Sequence, residues 1–220
     1  MTIDLYTWST PNGRKISIAL EEMELAYAVH PVNINNNEQL APDFSRISPN
    51  HKIPAIIDRD NGVSVFESGA ILMYLGDKTA KLYPSDSKTR IRVHEWLMWQ
   101  MSAVGPMLGR AHYFLKYNPG KAPFAERWFF DEAKRIYGVL DRLLAASEFM
   151  CGSYSIADIA TFPWIARHEW QRIDLDDYCN VKRWYATLAA RPAVQRGYKV
   201  PDAGAEIPLP RAISASLPAS

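Results

Sequence analysis

The sequence predicts an α/β domain followed by an all-α domain. Apolar runs with strand spacing alternate with amphipathic helical segments from residue 3 to about residue 79. A stretch containing proline and small polar residues then interrupts this pattern. Beyond it, the long segments have helical periodicity and no convincing alternating strand follows. The 220 residues are enough for two modest domains with a buried core.

The first domain has the predicted element order β-α-β-α-β-β-α. The apolar spacing and the hairpin-turn sequence Asp60-Asn61-Gly62 predict these elements. They are a strand at 3–7, a helix ending near 25, a strand at 26–32, a short irregular helix within 39–47, strands at 55–58 and 63–66, and a helix starting at 68. This is the order of a thioredoxin-like domain.

The stretch from Pro49 to Leu75 carries candidate ligand-binding groups. Pro54 stands at a strand entry and pushes Ile53 into an extended conformation, so the backbone of Ile53 is expected to face an extended peptide. The helix starting at Ser68 offers free N–H groups and a partial positive charge that suit a carboxylate. Glu67 can accept a hydrogen bond from an ammonium. Singly, these residues are more simply a loop proline, a cap and a surface charge, but together they predict a small-peptide site.

The loop before the first helix contains Ser9-Thr10-Pro11-Asn12 and no cysteine. Any thiol chemistry there must use a thiol that the ligand brings. A thiolate at a helix N-terminus has a lowered pKa, and the Thr10 hydroxyl and the Asn12 amide are suitable hydrogen-bond donors to it. The same sequence is also a common turn and cap, so alone it is equally compatible with a purely structural role.

Composition argues against several classes of function. The 25 basic and 24 acidic residues nearly cancel, and no basic stripe is interleaved with aromatic residues, so nucleic acid is not an expected partner. No apolar run has the length of a membrane span and no signal-peptide pattern is present, so we expect a cytoplasmic protein without a membrane partner. The cysteines, Cys151 and Cys179, form no C-x-x-C motif and the histidines are scattered, so no metal site is expected.

Two stretches of the chain, residues 10–23 and 44–58, resemble the glutathione transferase superfamily. The Ile53-Pro54 turn and the Glu67-Ser68 pair add to this resemblance. Within the superfamily the chain is most similar to the Nu-class bacterial enzymes, which are related to the yeast Ure2-like proteins and reduce disulfide bonds with glutathione. The resemblance extends from the first strand to about Val200. It implies that glutathione is the co-substrate, that a small disulfide or electrophile is the second substrate, and that the protein is a homodimer.

The resemblance also implies roles for individual residues. Thr10 and Asn12 assist the glutathione sulfur, with Ser9 as a fallback. Glutathione lies along Ile53 and Pro54, and its γ-glutamyl end is held by Glu67 and Ser68. The remaining implied contacts are Gln39 and Lys52, for the glycyl end or the backbone, and Arg127, which reaches the ligand within one subunit or across a dimer interface.

The expected boundaries are 1–79 for the glutathione-binding domain, 80–87 for the linker, 88–200 for the helical domain and 201–220 for an extended or mobile tail. Helices are expected at 88–114, 123–146, 156–168 and 181–191, and Gly105-Pro106 should kink or interrupt the first of them. Aromatic and methionine residues between 96 and 114 predict mainly core packing, with a share lining an interdomain cleft. Ser155 and Asp158 form a capping-box motif, which is a structural signal that the superfamily also carries.

Two other functions remain open at this point. Conjugation of glutathione to a small electrophile requires the same positioned thiolate and the same cleft, so the sequence barely separates it from disulfide reduction. The fold is also used by non-enzymatic modules that bind proteins. The retained residues Thr10, Ile53, Pro54, Glu67 and Ser68 disfavour this second alternative.

Overall fold

A computed structural model describes residues 2–209 of the chain. The first domain contains a four-stranded sheet with the strand order β2-β1-β3-β4. The strands are β1 (Thr2–Thr7), β2 (Ala26–Pro31), β3 (Ala55–Asp58) and β4 (Ser64–Phe66). β1 is parallel to β2 and antiparallel to β3, and β4 completes an antiparallel hairpin with β3. This is the predicted hairpin beside the predicted β-α-β unit.

Nine α-helices lie among residues 2–209. They are α1 (Pro11–Glu22), α2 (Pro42–Ile47), α3 (Ser68–Thr79), α4 (Ser87–Trp99), α5 (Gly105–Ala111), α6 (Pro123–Ala145), α7 (Ile156–Ile165), α8 (Cys179–Ala189) and α9 (Pro192–Tyr198). The first three belong with the sheet and the other six form the helical domain, so the predicted fold class is confirmed. The exact domain boundaries stay a prediction. No helix in the described part of the chain is both long enough and apolar enough to cross a membrane.

The two faces of the sheet are covered by different helices. Ile3 and Leu5 of β1 alternate onto one face, where they are fully buried together with α1 and α3. Tyr6 lies on the opposite face and packs in a smaller cluster with Phe44 of α2 and with Ile53. The binding-loop residue Ile53 is therefore anchored by its side chain in the core beneath α2.

The helical segment after α4 changes its register twice. It widens into a π-helical turn over Gln100–Val104, immediately before Gly105, and again over His112–Tyr117. Pro106 has no N–H to donate to the preceding turn, and a π turn is a common way to accommodate such a break inside a helix. The predicted interruption at Gly105-Pro106 therefore occurs, and it takes the form of this wider turn.

The last helices of the chain pack on α1. A Cβ atom on Gly197 of α9 would stand 2.5 Å from the Cα of Ile18, so this close approach requires glycine. The Ser17 hydroxyl donates a hydrogen bond to the Gly197 carbonyl at 2.6 Å, and the Arg14 Nε donates to the Tyr198 carbonyl at 3.0 Å. The position of α1, and with it the Thr10–Asn12 loop, is therefore fixed by the helical domain.

The predicted capping box at the start of α7 is confirmed. The Ser155 hydroxyl accepts a hydrogen bond from the Ala157 N–H at 3.3 Å, and the Asp158 carboxylate accepts one from the Ser155 N–H at 3.0 Å. The same carboxylate also accepts hydrogen bonds from the Met150 N–H and from the Trp184 indole, each at 2.9 Å. Asp158 is thus a buried structural acceptor and not a general base.

The described part of the predicted tail, residues 201–209, lies on the helical domain. Ala205 and Ile207 pack against the core, and the Tyr185 hydroxyl donates a hydrogen bond to the Pro208 carbonyl at 2.5 Å. Residues 210–220 are outside the described part of the chain, and so is the rest of the prediction for the tail.

Candidate active site

A cavity of about 300 Å³ lies beside the entry to β3. It is bordered by the start of α1, the loop before β3 and the start of α3. Its lining residues are Asn12, Ser48, Asn50, Lys52, Ile53, Pro54, Phe66, Glu67 and Ser68. The fold thus brings together two stretches of sequence that independently predicted ligand-binding groups.

The loop between α2 and β3 presents an unpaired backbone at this cavity. The Ile53-Pro54 peptide bond is cis, and neither the N–H nor the C=O of Ile53 has a hydrogen-bond partner among residues 2–209. Ser48 closes the loop, because its hydroxyl donates to the Lys52 carbonyl at 2.8 Å and accepts from the Lys52 N–H at 3.4 Å. An extended peptide can therefore pair with Ile53 as a strand pairs with a sheet edge.

The N-terminus of α3 is uncapped. Glu67 occupies the cap position with φ at 68°, and no side chain accepts a hydrogen bond from the first turn. A non-glycine residue with positive φ is uncommon, and such residues are concentrated at functional sites. The Asn50 amide donates a hydrogen bond to the Glu67 carboxylate at 3.2 Å and so fixes it at the cavity. The helix end offers N–H groups to an anion, and the adjacent Glu67 suits a cation.

Thr10 is the N-cap of α1. Its Oγ1 accepts a hydrogen bond from the Gly13 N–H at 3.1 Å, which leaves the hydroxyl proton available to an external acceptor. A Cβ on Gly13 would stand 2.2 Å from the Trp8 carbonyl oxygen, so glycine is required for this tight turn. Thr10 and Ser9 do not line the 300 Å³ cavity itself, but Thr10 precedes the lining residue Asn12 by two positions.

Asn12 is oriented by the helical domain. The indole Nε1 of Trp164, on α7, donates a hydrogen bond to the Asn12 Oδ1 at 3.2 Å. Because an indole nitrogen is only a donor, it selects the oxygen side of the amide and directs the Asn12 NH₂ group away from itself. The acceptor atoms of both Thr10 and Asn12 are therefore engaged by the protein, while their donors remain for a ligand.

Lys15 lies below the cavity and is 1% exposed. Its ammonium donates hydrogen bonds to the Gln100 Oε1 at 2.7 Å and to the Ser68 hydroxyl at 3.2 Å. Burial lowers the pKa of Lys15 to about 7, and the negative charge of Glu67 partly opposes this. A lysine of the first domain thus connects α3 to the helical domain.

Two predicted ligand contacts, Gln39 and Arg127, do not line the cavity. Gln39 lies in the short turn Glu38–Leu40, and its Oε1 atom is buried without a hydrogen-bond partner in the described structure. Arg127 is exposed on the first turns of α6, and no ion pair joins it to another residue of the 2–209 range. Their roles stay predictions, as do those of the other site residues.

Sequence reasoning missed several residues of this region. Lys15 had a local signal. It lies three positions before the buried Ile18, so helical spacing places this charged residue on the same side of α1. Asn50 lies within the predicted binding stretch and Ser48 lies one residue before it, but neither shows a distinguishing pattern. Gln100 and Trp164 had no local signal, since their contacts with the first domain join residues far apart in the chain.

No group of three or more histidine, cysteine, aspartate or glutamate residues between positions 2 and 209 is arranged to hold a metal ion. The structure thus combines a thioredoxin-like sheet with a cis-proline loop, an uncapped α3 and a start of α1 that contains no cysteine.

Comparisons with known proteins identify the family. A model of the N-terminal domain of glutathione S-transferases matches residues 1–77, and a model of the C-terminal domain matches residues 111–192. The chain is 45% identical to the disulfide-bond oxidoreductase YfcG of Escherichia coli over 87% of its own length and 92% of that protein. It is 36% identical to the disulfide-bond oxidoreductase YghU of the same organism over 89% of its length and 73% of that protein.

Solved structures of glutathione transferases are also similar. One from Burkholderia graminis, with two glutathione molecules bound per subunit, has a TM-score of 0.87 and 42% identity and covers 92% of this chain and 90% of its own. One from Pseudomonas putida, with one glutathione disulfide bound per subunit, has a TM-score of 0.86 and 42% identity, covering 91% and 92%. The chain belongs to the glutathione S-transferase family, which confirms the resemblance noted in its sequence and its assignment as an enzyme of that family.

Proposed function

We propose that the protein is a glutathione-dependent disulfide-bond reductase. The observation that carries this proposal is the N-terminal end of α1. There Thr10 and Asn12 present free hydrogen-bond donors, and no cysteine is present. A thiolate held there must come from a ligand, and the adjacent cavity has the groups that a tripeptide needs. The names of the relatives YfcG and YghU, both disulfide-bond oxidoreductases, support the choice of reaction.

In this proposal glutathione lies in the cavity in an extended form. Its cysteinyl backbone pairs with the free N–H and C=O of Ile53. Its γ-glutamyl carboxylate binds the uncapped N-terminus of α3 at Ser68, and its amine faces Glu67. Lys52 is the lysine that lines the cavity, and its charge suits the glycyl carboxylate. This arrangement directs the sulfur toward the start of α1.

The reaction then proceeds by two thiol–disulfide exchanges. The glutathione thiolate, stabilised by hydrogen bonds from Thr10 and Asn12, attacks one sulfur of the substrate disulfide. A glutathione–substrate mixed disulfide forms, and the other substrate sulfur leaves as a thiolate and takes up a proton. A second glutathione thiolate attacks the glutathione sulfur of the mixed disulfide. The second substrate thiol and glutathione disulfide are released, so two glutathione molecules supply the two electrons.

The ligands bound to similar proteins match the reductant and the product of the proposed reaction. The structure from Burkholderia graminis contains two glutathione molecules per subunit, and the one from Pseudomonas putida contains one glutathione disulfide. Two glutathione molecules are the reductant of the proposed reaction, and glutathione disulfide is its product. A pure conjugation reaction consumes one glutathione and produces no glutathione disulfide.

Conjugation to small electrophiles is the alternative, because the same thiolate can attack an electrophilic carbon. We expect purified protein with glutathione to reduce hydroxyethyl disulfide faster than it conjugates chlorodinitrobenzene, measured as kcat/KM for each. Thr10→Val should lower both activities, because it removes the hydroxyl donor while keeping the side-chain shape. Strong conjugation without disulfide turnover would reverse the order of the two functions. If calorimetry detects no glutathione binding, the non-enzymatic binding module becomes the better description.

The two cysteines provide the control for this assay. Cys179 is exposed and Cys151 is partly buried, with a thiol whose pKa burial raises to about 11, and neither lines the cavity. We expect the double variant Cys151→Ser, Cys179→Ser to retain wild-type disulfide reduction. Loss of turnover in a folded double variant would show that a protein thiol takes part.

The proposal extends to assembly and location by family analogy. The protein is a homodimer, and Arg127 reaches glutathione either in its own subunit or across the dimer interface. The enzyme acts in the cytoplasm, where glutathione is abundant and disulfides are reduced.

A further inference from the structure

Lys15 is a buried cation without a counter-ion. Its side chain is 1% exposed, and no carboxylate lies within ion-pair distance of its ammonium in the described part of the chain. The hydrogen-bond acceptors that it has are neutral oxygens, on Gln100 at 2.7 Å and on Ser68 at 3.2 Å, and the Met101 sulfur lies 4.0 Å away. Burying an unpaired charge costs far more than these neutral partners return. Burial therefore disfavours the charged form of Lys15 in the free protein.

One charged group acts on the pKa of Lys15. It is Glu67, the cap residue that precedes α3, and its negative charge raises this pKa against the larger effect of burial. The π turn of the helical domain contributes Gln100 and Met101, which are neutral. The neighbouring cation on α1, Arg14, directs its guanidinium to the Tyr198 ring, 3.9 Å from the ring centroid.

The Ser68 hydroxyl is shared between Lys15 and the cavity. It accepts the hydrogen bond from Lys15 and donates one to the Met101 sulfur, which is a weak acceptor, at 3.8 Å. Ser68 also begins α3, whose first-turn N–H groups have no side-chain cap. An anion at this helix end would therefore meet the helix dipole, the Ser68 hydroxyl and, directly behind that hydroxyl, the ammonium of Lys15.

We propose that Lys15 is a positioning residue for the γ-glutamyl carboxylate of glutathione, which it serves through Ser68 as a buried counter-charge, and that carboxylate binding makes Lys15 take up a proton. This inference rests on the proposed function, because it assumes that glutathione occupies the cavity. It adds a linkage between ligand binding and protonation of a residue that the ligand does not touch.

The direction of the pH dependence follows from the two states of Lys15. In the free protein burial lowers its pKa to about 7, so the amine is largely neutral above that pH. The bound carboxylate favours the ammonium and raises the pKa. Between the free and the bound pKa values, binding consumes up to one proton, so affinity is highest below pH 7 and weakens as the pH rises. The limit is about tenfold in Kd per pH unit.

The experiment uses S-methylglutathione, which has the same carboxylates and amine but no ionisable thiol. Its binding to the full-length protein is measured by calorimetry between pH 6.5 and 8.5. At pH 8 the measurement is repeated in buffers of different ionisation enthalpy, which reports the number of protons taken up. We expect Kd to increase about tenfold over this range, with a fraction of a proton taken up at pH 8.

Three variants separate electrostatics from structure. Lys15→Met keeps the length of the side chain and removes the charge, so this variant should bind S-methylglutathione more weakly at pH 6.5. It should also lose the proton uptake due to Lys15 and keep only the part due to the amine of the ligand. Gln100→Glu places a carboxylate where the amide oxygen lies 2.7 Å from the Lys15 ammonium, so Lys15 should stay protonated and the pH profile should flatten. Arg14→Met removes the neighbouring buried cation and is the matched control, because it should lower stability and keep the wild-type proton uptake.

The measurement on the wild type can overturn the inference even if a variant fails to fold. Binding of S-methylglutathione without proton uptake at pH 8 overturns the role of Lys15 and leaves the proposed function intact. A Lys15→Met protein with the wild-type pH profile does the same. Absence of any binding by the wild type removes the proposed function, and the inference falls with it.

Discussion

At the level of single residues, hydrogen bonds from the protein engage the side-chain acceptor atoms at the start of α1. The Gly13 N–H engages the oxygen of Thr10, and the Trp164 indole engages the oxygen of Asn12. The remaining donors, one hydroxyl proton and one amide NH₂ group, are then available for a thiolate. A thiolate is an acceptor without a proton, so this arrangement favours the ionised form of the bound thiol.

Trp164→Phe tests this arrangement. The phenyl ring keeps most of the packing but cannot donate to Asn12, so the amide loses its preferred orientation. The reference for this test is Asn12→Ala, which removes the amide donor to the thiolate entirely. Since a hydrogen bond to a charged group is worth ~1.5–3 kcal/mol, Asn12→Ala should lower kcat/KM for disulfide reduction about 10- to 100-fold. Trp164→Phe should cause part of this loss, and the double variant should be no worse than Asn12→Ala alone.

A second tryptophan, Trp170, supplies the control for this comparison of single and double variants. Trp170 contacts the same buried His112 ring as Trp164 does, but it makes no hydrogen bond to Asn12. Trp170→Phe should therefore leave the kinetics of the Asn12 variant and of the wild type unchanged. Additive losses from Trp164→Phe and Asn12→Ala would contradict the orienting role of the indole.

At the level of elements, α7 depends on one buried carboxylate. Asp158 accepts hydrogen bonds from the backbone of Met150 and Ser155 and from the Trp184 indole, and all of these donors are buried. Asp158→Ala leaves them unsatisfied and should lower the free energy of unfolding by ~3 kcal/mol or more. Ser155→Ala removes the cap and one hydrogen bond from its hydroxyl to Asp158, at 3.1 Å, but leaves the carboxylate in place, and should cost ~1 kcal/mol.

Denaturant unfolding measures these differences. Asp158→Asn is the informative intermediate, because its oxygen can still accept but its NH₂ group opposes another donor. We expect its stability to lie between those of the wild type and Asp158→Ala. Equal stabilities of the wild type and Asp158→Ala would be inconsistent with the buried acceptor described above.

The elements were largely predictable because their signals are local. The turn sequence at residues 60–62, the proline at the entry to β3 and the Ser155-Asp158 box each act within a few residues. Five of the six lining residues predicted from the sequence belong to local motifs of this kind, whereas Lys52 was implied by the family resemblance. The side chains that orient them, Trp164 and Gln100, arrive from the other domain, and a contact across that distance leaves no periodic pattern. The π turn before Gly105 was predicted as an interruption, but its geometry was not.

At the level of the whole molecule, mixing of variants tests the proposed homodimer and the subunit from which Arg127 is proposed to reach glutathione. Arg127→Ala and Thr10→Val should each lower activity when pure. If Arg127 reaches the site of the partner subunit, a hybrid of the two variants has one complete site. Unfolding the two proteins together and refolding them should then restore about a quarter of the wild-type activity, since half of the dimers are hybrids.

The matched control is a mixture that cannot produce a complete site. Arg127→Ala refolded with a doubly substituted Thr10→Val, Arg127→Ala protein has no Arg127 in any subunit and should recover no activity. If the first mixture also recovers nothing while hybrids are detected by mass spectrometry, Arg127 acts within its own subunit. Wild-type activity of the pure Arg127→Ala protein would show that Arg127 has no role at the site.

The packing of α9 on α1 also affects how the protein is made. The ribosome produces α1 well before Gly197 and Tyr198, which cover and anchor it. Until then the side of α1 that will face α9, which includes Ile18, is uncovered on the nascent chain, and transiently exposed apolar surface promotes aggregation. Helix α1 therefore acquires its cover only after residues 192–198 have been translated, and a ribosome that stalls before residue 192 leaves that helix without it.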